Sequence, residues 1–238
     1  MKIIISIFVY LVALTVFIVF GPLFVILSFF LSTQWLYRLS RFVSWAILKS
    51  FFIKLKIKGT PPQNGTYIYM FNHGSFIDPF LFGYAMKGPC TAVIAKENYN
   101  YPIWGSMLKR FKAIPIERKN KELARQSISH AEDALKSGYD VVILPEGTRT
   151  ITGKLKRFKK GGFHMAYNTR VPIIPVGCIG AFEFKPKNRW ILSPRTIIIN
   201  YGDPTDPSTY ELLGVDGLLK QIELEIKKLS NGKFEDEL

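Results

Sequence analysis

Tyr67-Ile68-Tyr69-Met70-Phe71-Asn72-His73-Gly74-Ser75-Phe76-Ile77-Asp78-Pro79 is the stretch from which the rest of the chain can be read. Tyr67 to Phe71 is a short apolar run that predicts a strand, and Phe80 to Met86, just beyond, predicts a helix. Between them, His73 and Asp78 stand five positions apart. An odd separation puts two side chains on opposite faces of a strand, and on a continuous helix this one makes them diverge by roughly 140°. They meet only if the backbone turns between them, and Gly74-Ser75 suits such a corner. An aspartate bonded to one imidazole nitrogen fixes the tautomer and leaves the other nitrogen free to take a proton near neutral pH. The same residues also suit a plainer arrangement, with Asp78 as a helix N-cap, Pro79 at the first helical position and His73 an ordinary turn residue.

Upstream, the chain is a membrane anchor by composition. Its 238 residues make one domain of ordinary size plus an appendage, and the apolar excess (48% hydrophobic, 14% aromatic) gathers at the N-terminus. No charged residue lies between Lys2 and Arg38, and Ile3 to Leu31 is almost wholly apolar, longer than the roughly 20 residues that cross a bilayer core. It is too long for a signal-peptide core and no small-x-small cleavage site follows it. Gly21-Pro22 either kinks one spanning helix or separates two that dip into one leaflet. Arg38, Arg41, Lys49, Lys54, Lys56 and Lys58 follow the run, against Lys2 before it, which predicts a membrane-associated protein with the remaining chain on the cytoplasmic face. Trp35 to Ile47 has helical spacing and reads either as an interfacial helix with its tryptophans at headgroup depth or as a helix packed on the core. These segments divide the chain into an anchor, residues 1–50, and a domain, residues 51–238.

Downstream, strands and helices alternate. Ile53, Leu55 and Ile57 interleave with Lys54, Lys56 and Lys58 as a half-buried strand, and Asn64-Gly65 favours a hairpin from it into the Tyr67 strand. Strands are expected at Thr91–Ala95, Ala113–Ile116, Asp140–Leu144, Val171–Ile179 and Trp190–Tyr201. Helices are expected at Lys121–Lys136, Phe163–Asn168 and Val215–Leu229, with Trp104–Phe111 a helix or loop. The alternation argues for an α/β domain with a largely parallel sheet flanked by helices. Cys90 and Cys178 are read as free thiols, since two distant cysteines make neither a disulfide framework nor a zinc site; His130 and His164, in helical stretches, are read as structural.

Loops at the carboxyl ends of strands in such sheets gather on one face as the ligand site. Four segments follow or form predicted strands here: His73 with Asp78, Arg118, Glu146-Gly147-Thr148-Arg149, and Val171-Pro172-Ile173-Ile174-Pro175-Val176. In kind, order and approximate spacing, from about Phe52 to Tyr201, they resemble the glycerophosphate acyltransferase superfamily and, within it, the 1-acyl-sn-glycerol-3-phosphate acyltransferases of the bacterial PlsC type. The resemblance implies an enzyme that acylates the sn-2 hydroxyl of lysophosphatidic acid from an acyl-carrier-protein or coenzyme A thioester. His73 would be the general base, Asp78 its orienting partner, and Arg118, Glu146, Gly147, Thr148 and Arg149 the glycerol-phosphate site. The Val171–Val176 segment would support the acyl donor or the lower sheet. No cofactor, metal or serine nucleophile is implied, and the chain has neither a Gly-x-Ser-x-Gly elbow nor a metal-ligand cluster. The implied partners are the two substrates, membrane lipids and acyl carrier protein, with no nucleic acid.

Lys112-Ala113 and Glu117-Arg118 stand where the family often has a glycine and Asp-Arg, which leaves the choice of lysolipid acceptor open, a lysophospholipid or lyso-ornithine lipid included. Thr150 stands where serine is commoner. Backbone amides near Gly147 are the candidate oxyanion donors. The net charge of +14 also suits a membrane-anchored binder of anionic lipid or nucleic acid, though the lysines are spread along the chain without a nucleic-acid motif.

Overall fold

Ile68–Phe71 forms strand β2, and every residue of it is buried. A strand apolar on both faces belongs inside a parallel sheet covered on both sides. β2 accordingly pairs in parallel with β5 (Asp140–Ile143) on one edge and β6 (Ile173–Ile179) on the other. The computed structural model describes residues 1–62, 64–117 and 121–237. Among the described residues, β1 (Lys54–Lys58), β3 (Cys90–Ala95), β4 (Ile114–Ile116) and β7 (Thr196–Tyr201) complete a seven-stranded sheet in the order β1-β7-β6-β2-β5-β3-β4. β6 and β7 run antiparallel; the other neighbours run parallel.

The hairpin expected at Asn64-Gly65 does not form. β1 pairs in parallel with β7 at the sheet edge, with β7 and β6 between it and β2. The physical reason is burial: β2 needs apolar strands along both edges, whereas the lysines of β1 stay exposed at the rim, where an edge strand is best charged. The expected alternation of β1 fades along it, from Ile53, fully buried just before the strand, to Leu55, half-buried, and Ile57, exposed.

Alternation along β2 divides the core. Tyr69 and Phe71, with Val142, Ile174 and Val176, face a layer built from α1 (Lys2–Ser28), α2 (Thr33–Ser50), α3 (Asp78–Ala85) and α4 (Pro102–Arg110). Ile68 and Met70, with Val141, Ile143 and Ile173, face α5 (Lys121–Lys136), α6 (Gly161–Thr169) and α8 (Tyr210–Ser230). A short helix, α7 (Ala181–Phe184), follows β6.

α1 runs unbroken through Gly21-Pro22 and is, among the described residues, the one helix long and apolar enough to cross a membrane. Val9, Ala13 and Phe24 pack on the domain, while Ile4, Phe8, Leu11, Ile18 and Ile26 are exposed. α2 packs one face on the domain core. Leu36, Val43, Ile47 and Leu48 are buried in the core, and Trp35, Phe42 and Trp45 remain outside it.

Candidate active site

The chain turns sharply after β2, and the turn is held from several sides. The side chain of Asn72 continues the sheet ladder beyond the strand: its Nδ2 donates to the Cys178 carbonyl (3.0 Å), and its Oδ1 accepts from the Cys178 amide (2.6 Å). The His73 amide donates to Glu146 Oε1 (2.6 Å), and the His73 carbonyl accepts from the Thr150 amide (3.0 Å). Ser75 Oγ donates to the Lys185 carbonyl (3.0 Å). Gly74 sits so close to α7 that a Cβ there would lie 3.1 Å from the Phe182 nitrogen.

This corner brings His73 and Asp78 together. His73 Nδ1 lies 2.7 Å from Asp78 Oδ2, which also accepts from the Ser75 amide at 3.0 Å. Asp78 is the first residue of α3 rather than its N-cap, so the plainer arrangement gives way to the paired one. The aspartate is 3% exposed, and its Oδ1 is buried without a hydrogen-bond partner. The positive end of the α3 dipole favours the charge. A carboxylate so poorly solvated gains when a positive charge develops on the adjoining ring, which is what proton uptake by His73 produces. With Nδ1 bonded to Asp78, Nε2 is the second ring nitrogen, capable of accepting or donating a proton.

Glu146 lies beneath this loop. It is 3% exposed, and both carboxylate oxygens accept backbone amides, from His73 and from Lys156 (2.9 Å). Burial pushes its pKa up to about 7, against the two amide bonds that lower it. It therefore braces the β2 and β5 loops against each other. Gly147 supplies the left-handed backbone of the turn at φ +73°, and its amide donates to the Leu144 carbonyl (2.9 Å), which commits that donor within the turn. Thr148 and Arg149 line a cleft of about 380 Å³ together with His73, Ser75 and Lys187. Lys156 Nζ donates to Thr148 Oγ1 (3.2 Å) and to the Arg149 carbonyl (3.4 Å). The Val171–Val176 segment leads into β6, where Ile173, Ile174 and Val176 are fully buried in the sheet. Arg118 lies outside the described residues.

The cleft shares Pro79, Phe80, Phe82, Ile94 and Trp104 with an apolar cavity that runs between α2, α3 and α4. Sequence reasoning did not reach Asn72, Lys156 or this cavity. A polar residue at the end of an apolar strand was the signal for the first, and Lys156 was legible only as one of a basic run. Cys90 and Cys178 are free, and burial raises both thiol pKa values, that of Cys90 to about 12.

The family model described as Acyltransferase matches residues 53–179, a span that contains the whole His73–Asp78 corner and the Glu146–Arg149 turn. The chain belongs to the acyltransferase family. Among the relatives of this acyltransferase-family chain is a 1-acyl-sn-glycerol-3-phosphate acyltransferase of Cocos nucifera, 33% identical over 158 residues, covering 66% of this chain and 51% of that protein. Another, from Pseudomonas aeruginosa, is 30% identical over 165 residues, covering 68% and 63%. The chain thus spans 41% to 63% of the length of the curated relatives it is matched to here. In fold it is similar to the crystal structure of the 1-acyl-sn-glycerophosphate acyltransferase PlsC from Thermotoga maritima, with a TM-score of 0.82, 22% identity, and 95% and 93% of the two chains covered.

Proposed function

We propose that this acyltransferase moves a fatty acyl group from an acyl thioester to the sn-2 hydroxyl of 1-acylglycerol 3-phosphate, producing phosphatidic acid. One observation carries the reading: an oriented proton acceptor, His73 with Asp78 at 2.7 Å, shares a cleft with Arg149 and adjoins an apolar cavity. His73 Nε2 takes the hydroxyl proton as the oxygen attacks the thioester carbonyl. Collapse of the tetrahedral intermediate expels the thiolate, which takes the proton back from the imidazolium. The products are the ester and the free thiol, and no acyl-enzyme forms. Arg149 grips the acceptor phosphate, and the apolar cavity receives the acyl chain. The names of the Cocos nucifera and Pseudomonas aeruginosa relatives support the acceptor.

The exposed apolar face of α1 and the outward tryptophans of α2 support residence on a membrane, and the basic residues after α1 support the cytoplasmic face. The donor is carried by coenzyme A or by an acyl carrier protein. The test is purified His73→Ala in lipid vesicles with both donors, products identified by mass. Acyl transfer should fall by roughly 10²–10⁴-fold with folding and vesicle binding intact. Substantial turnover by this variant would overturn the base assignment.

A further inference from the structure

The segment that follows α7 carries three cations in Lys185-Pro186-Lys187-Asn188-Arg189, and it lies beyond the residues matched by the family model. It is nevertheless part of the site. Lys187 lines the same cleft as His73 and Arg149, and the Lys185 carbonyl accepts from Ser75 Oγ within the catalytic corner. The Lys185 ammonium stands 5.6 Å from the ring centroid of Phe76, another wall of the cleft. Glu183, just upstream, pairs instead with Arg195. Among the described residues no ion pair joins a carboxylate to Arg149, Lys185 or Lys187. Burial and the charge of Arg149 both lower the pKa of Lys185, as expected where like charges are gathered without a counterion.

We infer that Lys187, backed by Lys185, is a specificity determinant that reads the second negative charge of a phosphate monoester. A monoester carries about −1.5 to −2 at pH 7, whereas the phosphodiester of an ordinary lysophospholipid carries a single charge. Arg149 neutralises one charge in either case, and the lysines interact with the additional charge that marks the monoester. The inference rests on the acyltransferase reading above and names the residues that select its acceptor.

The test uses the full chain in zwitterionic detergent micelles and begins with equilibrium binding of 1-acylglycerol 3-phosphate and of 1-acylglycerophosphoethanolamine, without donor. Lys187→Gln should weaken the monoester about tenfold and the diester by less than about twofold. Lys187→Arg should restore the difference, and Lys136→Gln, on α5 away from the cleft, should leave it intact. In turnover, Lys187→Gln should raise KM for the monoester by a similar factor and leave kcat and the donor KM unchanged. Equal weakening of both lipids, or unchanged monoester binding in Lys187→Gln and in the Lys185→Gln/Lys187→Gln double variant, would overturn the inference. Selective binding without turnover by the unaltered protein would uphold it and sink the acyltransferase reading instead.

Discussion

Replacing Asp78 with asparagine keeps the side-chain volume and removes the charge, and the surroundings allow the amide two orientations, both damaging. With its oxygen at the Oδ2 position, it still accepts from His73 Nδ1 and from the Ser75 amide, as the carboxylate does at 2.7 and 3.0 Å. Its NH2 then occupies the Oδ1 position, a buried site without a hydrogen-bond partner. A buried unsatisfied donor costs about 1–3 kcal/mol, and the imidazolium formed during reaction loses a charged partner worth about 1.5–3 kcal/mol. In the flipped orientation, the NH2 confronts the Ser75 N–H and donates to Nδ1, which places the ring proton on Nε2 and removes the base. Asp78→Asn should therefore lose roughly 10²–10⁴-fold in kcat/KM with substrate KM values nearly constant, and unfold at about 1–3 kcal/mol lower stability. The assay is product formation across pH 6–9 with purified protein, paired with urea unfolding. Activity within about threefold of the unaltered protein would refute the claim that His73 works through its bond to Asp78.

Arg149→Ala should raise KM for the phosphorylated acceptor by about 10–100-fold while moving the donor KM by less than about threefold, measured by varying each substrate in turn. Glu146 ionises near 7 in the folded chain against 4.5 ordinarily, so the folded state holds the proton more tightly than the unfolded one. Its contribution is full at low pH and falls as pH rises from about 4.5 to 7, by about 3 kcal/mol in all. Urea midpoints at pH 5 and pH 7.5 should show the decline, flattened in Glu146→Gln; an equal slope in both proteins would contradict it. Asp140, pushed by burial to about 6, adds a decline of the same sign over a lower range. Ala92, buried on β3 against the apolar cavity, should shift donor preference towards shorter chains when replaced by leucine, read by competition among donors of different length. Unchanged preference would place the acyl chain elsewhere.

The local elements were written plainly in the chain. Strand β2, α5 with Gly138 after it, and the final helix all stand where apolar periodicity put them, because each pattern depends only on neighbours a few residues away. The pairing of His73 with Asp78 was legible as one of two arrangements, since the same residues also suit a helix N-cap followed by proline, and the other motifs along the chain tipped the choice. Pairing between distant strands was not. Asn64-Gly65 argues for a hairpin from local turn chemistry, yet the edge of β2 was already claimed by β5 and β6, and no local signal shows that competition.

The amino-acid order by itself determined the anchor-like α1, the alternation of strands and helices, and a corner able to bring His73 and Asp78 together. These follow from composition and short-range spacing. Tertiary structure alone decided that Glu146 turns inward to hold the His73 amide, that the segment after α7 returns to the His73–Asp78 corner, and that α2, α3 and α4 enclose an apolar cavity beside it. Each depends on contacts between residues far apart in the chain, and burial, which sets the chemistry of a carboxylate or a lysine, exists only once those residues have met.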